Sequence, residues 1–230
     1  MTDQRLTCRS LLFDLDGTLV DSAPDLWHTM NYVLDKTGYP KLALDQVRHL
    51  VGNGARFLLA RGMYGMEAEA PAPDENPEFE QAVKLFLDYY QEHLTDNSRP
   101  YAGCMEMLQQ LAKNRFRLAV VTNKPEVMAK KMLVNLGMDH FFEEVIGGNT
   151  LSQRKPHPLP LTHTLEKMDT PPELGVMVGD SETDSLAARA ARCQLIMVSH
   201  GYNRGFPVSQ LKPDHTVDLF EELPPLLTLG

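Results

Sequence analysis

Four short apolar stretches, each cut off by a polar or glycine residue, restrict the fold of this sequence more than any other feature. Ser10–Phe13 runs into Asp14, Arg117–Val121 into Thr122-Asn123, Gly175–Val178 into Gly179-Asp180, and Leu195–Ser199 into His200-Gly201. None alternates apolar with polar residues, and Val, Ile and Leu dominate, which is the pattern of strands buried on both faces. Helical stripes lie between them: Met105, Leu108, Leu111 and Ala112; then Val127, Met132, Leu133 and Leu136, stopped by Gly137; then Leu161, Leu165 and Met168; then Leu186, Ala187 and Ala190. Alternating strands and helices predict an α/β fold with a doubly wound parallel sheet and right-handed crossovers. Ligands in such sheets sit beyond the carboxyl ends of the strands, where the polar terminators would gather.

The stretch 21–97 differs. It holds no convincing strand and its residues follow helical periods: Leu26, Met30, Val33 and Leu34; Phe57 and Leu58; Glu80, Val83, Leu87 and Tyr90. Ser22 and Asp25 have the spacing of a capping box, with Pro24 in the first turn. The segment around Glu67, Glu69, Asp74, Glu75 and Glu78 reads as a solvated loop, and Trp27 and the methionines as packing residues. The chain therefore divides into a core domain, 1–20 and 98–230, and a helical insertion, 21–97.

Composition narrows the function. With 22 Lys and Arg against 31 Asp and Glu, the net charge of −9 disfavours a basic surface for nucleic acid or anionic lipid. A small anionic substrate stays open, because a few local donors outweigh a diffuse field. Three distant cysteines, Cys8, Cys104 and Cys193, do not make a disulfide framework and fit a reducing compartment. No apolar run nears the ~18 residues of a membrane span, and Leu11-Leu12-Phe13 is too short for a signal peptide. A soluble, cytoplasmic protein, monomer or homodimer, is expected.

The strand ends carry the chemistry. In Asp14-Leu15-Asp16-Gly17-Thr18 two carboxylates two residues apart project to the same side of the chain, and Gly17 permits a tight turn. Thr122-Asn123 offers a hydroxyl and an amide for phosphate oxygens, although such a pair also commonly makes a turn. Lys155-Pro156 offers a cation. Gly179-Asp180-Ser181-Glu182-Thr183-Asp184 sets two more carboxylates four residues apart, with helix capping by Asp180 as the alternative.

In order and spacing these four pieces resemble the four sequence motifs of the haloacid dehalogenase superfamily, and the resemblance covers essentially the whole chain. It implies a Rossmann-like core with an α-helical cap domain inserted after the first strand. Within the superfamily, Val51-Gly52-Asn53-Gly54-Ala55-Arg56, Lys155-Pro156-His157-Pro158 and Gly201-Tyr202-Asn203-Arg204-Gly205 are similar to segments of bacterial phosphoglycolate phosphatases. The implied activity is Mg²⁺-dependent hydrolysis of a small phosphomonoester, 2-phosphoglycolate first among them. Asp14 would be the nucleophile that forms an aspartyl-phosphate, and Asp16 the acid and then the base. Mg²⁺ would be held by the Asp14 carboxylate, the Asp16 backbone carbonyl and Asp180, with Asp184 and Thr18 in supporting positions. Thr122, Asn123 and Lys155 would hold the phosphoryl group. In the cap, Gly52, Asn53 and Gly54 would offer backbone N–H groups and Arg56 would bind a substrate carboxylate; the alternative is a turn followed by a solvated arginine. His157 and Arg204 read as loop residues.

Other functions are distinguishable. Dehalogenation has no use for the acid Asp16, and the Gly-rich cap segment lacks the lysine a phosphonatase needs for a Schiff base. Phosphatases of sugar or amino-sugar phosphates and a β-phosphoglucomutase-like mutase share the four motifs. A phospho-Asp receiver domain would carry its Asp deeper in the chain and lack a large insertion. A non-catalytic binding protein would not keep paired carboxylates without a metal, because they repel.

Overall fold

The protein is described by a computed structural model over residues 5–73, 75–203 and 207–230. Asp74, Arg204 and Gly205 lie outside the described residues. In chain order the strands are β1 (Leu6–Cys8), β2 (Ser10–Phe13), β3 (Val20–Asp21), β4 (Arg99–Pro100), β5 (Arg117–Val121), β6 (Glu144–Ile146), β7 (Gly175–Gly179), β8 (Gln194–Val198), β9 (His215–Val217) and β10 (Leu227–Leu229). The helices are α1 (Ala23–Thr37), α2 (Leu44–Arg48), α3 (Ala55–Tyr64), α4 (Pro77–Glu92), α5 (Cys104–Lys113), α6 (Glu126–Asn135), α7 (Leu159–Lys167) and α8 (Glu182–Ala191).

Six strands form one parallel sheet in the order β6-β5-β2-β7-β8-β9. All four expected strands belong to it, shifted by at most one residue at their ends. Its interior is buried on both faces because successive side chains point to opposite sides. Leu11 and Phe13 join the larger apolar cluster on one face, and Leu12 joins Leu161, Leu165, Ala187 and Ala188 from α7 and α8 on the other. The outer strands β6 and β9 have three residues each, too short for a readable pattern. β1 and β10 pair with each other beside the main sheet.

Helices α1 to α4 occupy the insertion, and among the described residues no strand falls between β3 and β4. Val20 pairs with Pro100 and Asp21 with Arg99, so the outgoing and returning chains leave the core side by side. Asp25 reinforces this crossing. Its buried carboxylate accepts from the backbone N–H and Nδ2 of Asn97, and from the backbone N–H and Oγ of Ser98, at 2.6–3.0 Å. That corrects the capping-box reading of Ser22 and Asp25: the carboxylate is spent across the two connections, not on its own helix. Among the described residues no helix is long and apolar enough to cross a membrane.

Candidate active site

The sheet register assembles the site. Phe13 stands opposite Val120 on one side and Val178 on the other, so Asp14, Thr122 and Asp180 all emerge within two residues of the same level. The ladder extends into them: the backbone N–H of Asp14 donates to Val178 O at 2.9 Å, and that of Thr122 to Ile146 O at 2.9 Å. Lys155 arrives from the loop between β6 and α7.

Asp14, Asp180 and Asp184 form one buried cluster in which a carboxylate oxygen of each lies within 4.8 Å of the others. Lys155 Nζ donates to Asp184 Oδ1 at 2.6 Å and stands 3.1 Å from Asp14 Oδ1. Asp14 Oδ1 also accepts from the Leu15 N–H at 2.7 Å. Asp184 Oδ2 accepts from the N–H and Oγ of Ser181, which locks its rotamer at the start of α8. Asp180 accepts from Thr18 Oγ1 at 2.7 Å and from the Tyr202 N–H at 2.6 Å, and so does not cap α8. Glycine makes room for this crowd. A Cβ on Gly17, whose φ is +89°, would lie 2.6 Å from Asp180 Oδ2, and one on Gly201 would lie 2.1 Å from Asp180 Cβ.

The electrostatics follow from burial. Desolvation lifts the Asp14 carboxyl to about 6, with Lys155 opposing and Asp184 and Asp16 adding to the rise. Desolvation, then Asp184 and Asp14, push Asp180 well above the usual carboxylate range. For Lys155 burial alone would lower the ammonium, but Asp14 and Asp184 outweigh it and hold it charged. Three buried carboxylates against one lysine leave an excess of negative charge with only oxygen donors. That donor set suits a hard divalent cation such as Mg²⁺.

Asp16 faces a different group. Its carboxylate accepts from Lys124 Nζ at 3.0 and 3.2 Å, and the same ammonium donates to the Tyr90 hydroxyl at 2.5 Å and lies 4.4 Å from the Tyr90 ring centre. Lys124 is 2 % exposed in its side chain. The residue types after β5 single out Thr122-Asn123 and not Lys124. The available signal was a lysine inside the polar terminator of β5, directly before Pro125.

The insertion supplies the opposite wall of the cleft through Gly52, Gly54 and Tyr90. Gly52 O accepts from Asn123 Nδ2 at 3.2 Å, and Thr183 Oγ1 donates to Asn53 Oδ1 at 3.1 Å. Asn123 Nδ2 also donates to Lys155 O at 3.0 Å, while its Oδ1 is buried without a partner among the described residues. The amide donors expected to meet phosphate are therefore spent on the backbone, and Asn123 instead ties the insertion to the sheet. Arg56 also departs from expectation. Its guanidinium pairs with both Glu80 oxygens at 2.7 Å and donates to Pro71 O at 2.7 Å, inside the insertion and off the cleft wall. Thr122 keeps its place in the cleft, its hydroxyl oxygen accepting from the Lys124 N–H. His157 is an exposed loop residue whose Nδ1 accepts from the Leu159 N–H. The free space between the walls is about 40 Å³. That is room for on the order of three waters.

Comparison with known proteins gives one answer. Residues 11–198 match the family model described as haloacid dehalogenase-like hydrolase. The chain is 41 % identical over 213 residues to a phosphoglycolate phosphatase of Colwellia psychrerythraea, covering 93 % of this chain and 94 % of that one. It is 40 % identical over 209 residues to one of Vibrio cholerae, covering 90 % and 92 %. A crystal structure described as a predicted phosphoglycolate phosphatase from Haemophilus somnus superposes with a TM-score of 0.86 at 35 % identity, covering 97 % of this chain and 98 % of that one.

Proposed function

The chain belongs to the haloacid dehalogenase-like hydrolases and is an enzyme of their phosphatase type; on that premise we propose that it hydrolyses a small phosphomonoester through an aspartyl-phosphate on Asp14, with 2-phosphoglycolate as the substrate. The observation that carries the reading is Lys155 bridging Asp14 and Asp184 in one buried cluster with Asp180, at the end of the central strand. The curated relatives support the choice of substrate.

Asp14, in the first step, attacks phosphorus; its new O–P bond forms as the bond to the ester oxygen breaks, and Asp16 gives that oxygen a proton. Water then attacks the phosphoryl group, Asp16 takes the proton, and the Asp14 O–P bond breaks to release phosphate. Lys155 and the Thr122 hydroxyl hold the phosphoryl oxygens in place, which is most of what phosphoryl transfer requires. Asp184, with both oxygens engaged, fixes Lys155 against Asp14. The Asp14 carboxylate, the Asp16 backbone carbonyl and Asp180 would hold Mg²⁺, which when bound offsets the repulsion between substrate phosphate and Asp14. The insertion, 21–97, acts as the cap that closes over the site.

The test is phosphate release with Mg²⁺ from a panel of 2-phosphoglycolate, hexose and amino-sugar phosphates, β-glucose 1-phosphate and nucleotides, with Asp14→Asn as control. We expect 2-phosphoglycolate to lead in kcat/KM by at least tenfold, about 1.4 kcal/mol. Another ester in the lead would overturn the substrate, and no release above the control would overturn the phosphatase.

A further inference from the structure

We propose that Tyr202 is a positioning residue for the cation: it ties the ligand Asp180 to the crossing between core and insertion, so that Mg²⁺ is held tightly only while that crossing is in place. The inference rests on the reading above, in which Asp180 helps to hold Mg²⁺.

The two ends of Tyr202 meet different parts of the molecule. The residue is buried in the loop after β8. Its backbone N–H donates to Asp180 Oδ2 at 2.6 Å. Its hydroxyl donates to Asp21 Oδ1 at 2.6 Å and accepts from the Ala23 N–H at 2.8 Å. Asp21 ends β3 and Ala23 begins α1, so the hydroxyl sits where the chain leaves the core. Asp21 is itself fixed from two more directions. It stands opposite Arg99 of the returning chain, and its Oδ2 accepts from Arg48 Nη2 of α2 at 2.9 Å. One residue therefore spans from a carboxylate of the buried cluster to the crossing.

The span has little slack. A Cβ on Gly17 would lie 2.7 Å from Tyr202 Cδ2, so the ring is wedged against the Asp14–Thr18 turn. A Cβ on Gly201 would lie 2.1 Å from Asp180 Cβ, so the chain just before the ring is pressed on Asp180. Close packing of this kind passes a shift at one end to the other. The hydroxyl is also needed where it is. The first N–H groups of a helix lack partners within the helix, and the Ser22 side chain makes no cap bond at α1. Tyr202 satisfies the Ala23 donor instead. A phenylalanine would fill the same space and leave both Asp21 and Ala23 without this partner. Groups that orient a ligand carboxylate typically change metal affinity by about 10- to 100-fold when lost. Tyr202→Phe keeps the N–H that meets Asp180 and loses only what anchors it, so a smaller effect is expected.

The experiment titrates Mg²⁺ alone by calorimetry into the wild type, Tyr202→Phe, Asp21→Ala, their double variant and Asp180→Asn. Tyr202→Phe should raise the Kd at least threefold. Asp21→Ala cuts the same link from its other side, should do likewise, and serves if Tyr202→Phe does not fold. The double variant should bind within twofold of the weaker single variant, because one link is not cut twice. Asp21→Asn, which keeps an oxygen for the hydroxyl, should recover most of the affinity that Asp21→Ala loses. General loosening of the fold would instead make the two losses multiply. A rise below threefold in either folded single variant, or a double variant weaker than the twofold limit, would overturn the positioning role. If Asp180→Asn alone loses Mg²⁺, the cation reading stands and this inference falls by itself. If Asp180→Asn binds Mg²⁺ as tightly as the wild type, the cation reading falls and takes this inference with it.

Discussion

Asp14 and Asp180 are held in a state their model compounds would not choose, and the cost is measurable. Without a cation, the folded protein holds the Asp14 proton to about 6, whereas an unperturbed Asp titrates at 3.8. Stability from this group is therefore intact below about pH 4 and lost as pH rises through about 6. Asp14→Asn carries no such proton. In chelator, the wild-type Tm should fall relative to Asp14→Asn between about pH 4 and 7, by a few degrees; a constant difference would contradict the burial argument. Saturating Mg²⁺ at about 100 times its Kd should return roughly 2.7 kcal/mol to the wild type and nothing comparable to Asp180→Asn, read as Tm at neutral pH. The sequence showed these residues because their types and spacing are improbable together and fall where apolar runs stop. Lys124 and Arg56 show the opposite. A lysine or arginine has no signature of burial or partner in sequence alone, so the arginine in the Gly-rich segment drew attention while the buried lysine beside Asp16 did not.

At the level of elements, the central strands were legible because burial on both faces leaves an unbroken apolar run. β6 and β9 were not, because three residues on a sheet edge carry no period. α2, of five residues, escaped for the same reason. The crossing at β3 and β4 has a physical cause that sequence could not reveal, since Asp25 meets partners more than 70 positions away. Asp25→Ala would strand the two buried donors of Ser98 and release the two of the exposed Asn97. We expect a loss of about 3 kcal/mol, on the order of 10 °C in Tm, measured by thermal unfolding in chelator to exclude the metal site. A loss below about 1 kcal/mol would mean that the β3–β4 pairing holds the crossing without it.

The whole molecule sets a net charge of −9 against an anionic substrate, and resolves the conflict locally. Lys155 and Lys124 are both buried, the first beside Asp14 and the second beside Asp16. The change of period at about residue 21 and its return near 98 led the sequence to suggest a helical insertion, and α1 to α4 lie within that stretch. The contacts that close one on the other, Asn123 to Gly52, Thr183 to Asn53 and Lys124 to Tyr90, join residues distant in the chain and appeared only in three dimensions. The account as a whole stands on Asp14 as the nucleophile. Its most direct test is to quench the enzyme in acid during turnover of 2-phosphoglycolate with Mg²⁺ and map the phosphoryl group by peptide mass spectrometry. The account predicts a phosphorylated peptide carrying the group on Asp14, absent in Asp14→Asn. A phosphoryl group on any other residue, or turnover that persists in Asp14→Asn, would contradict it.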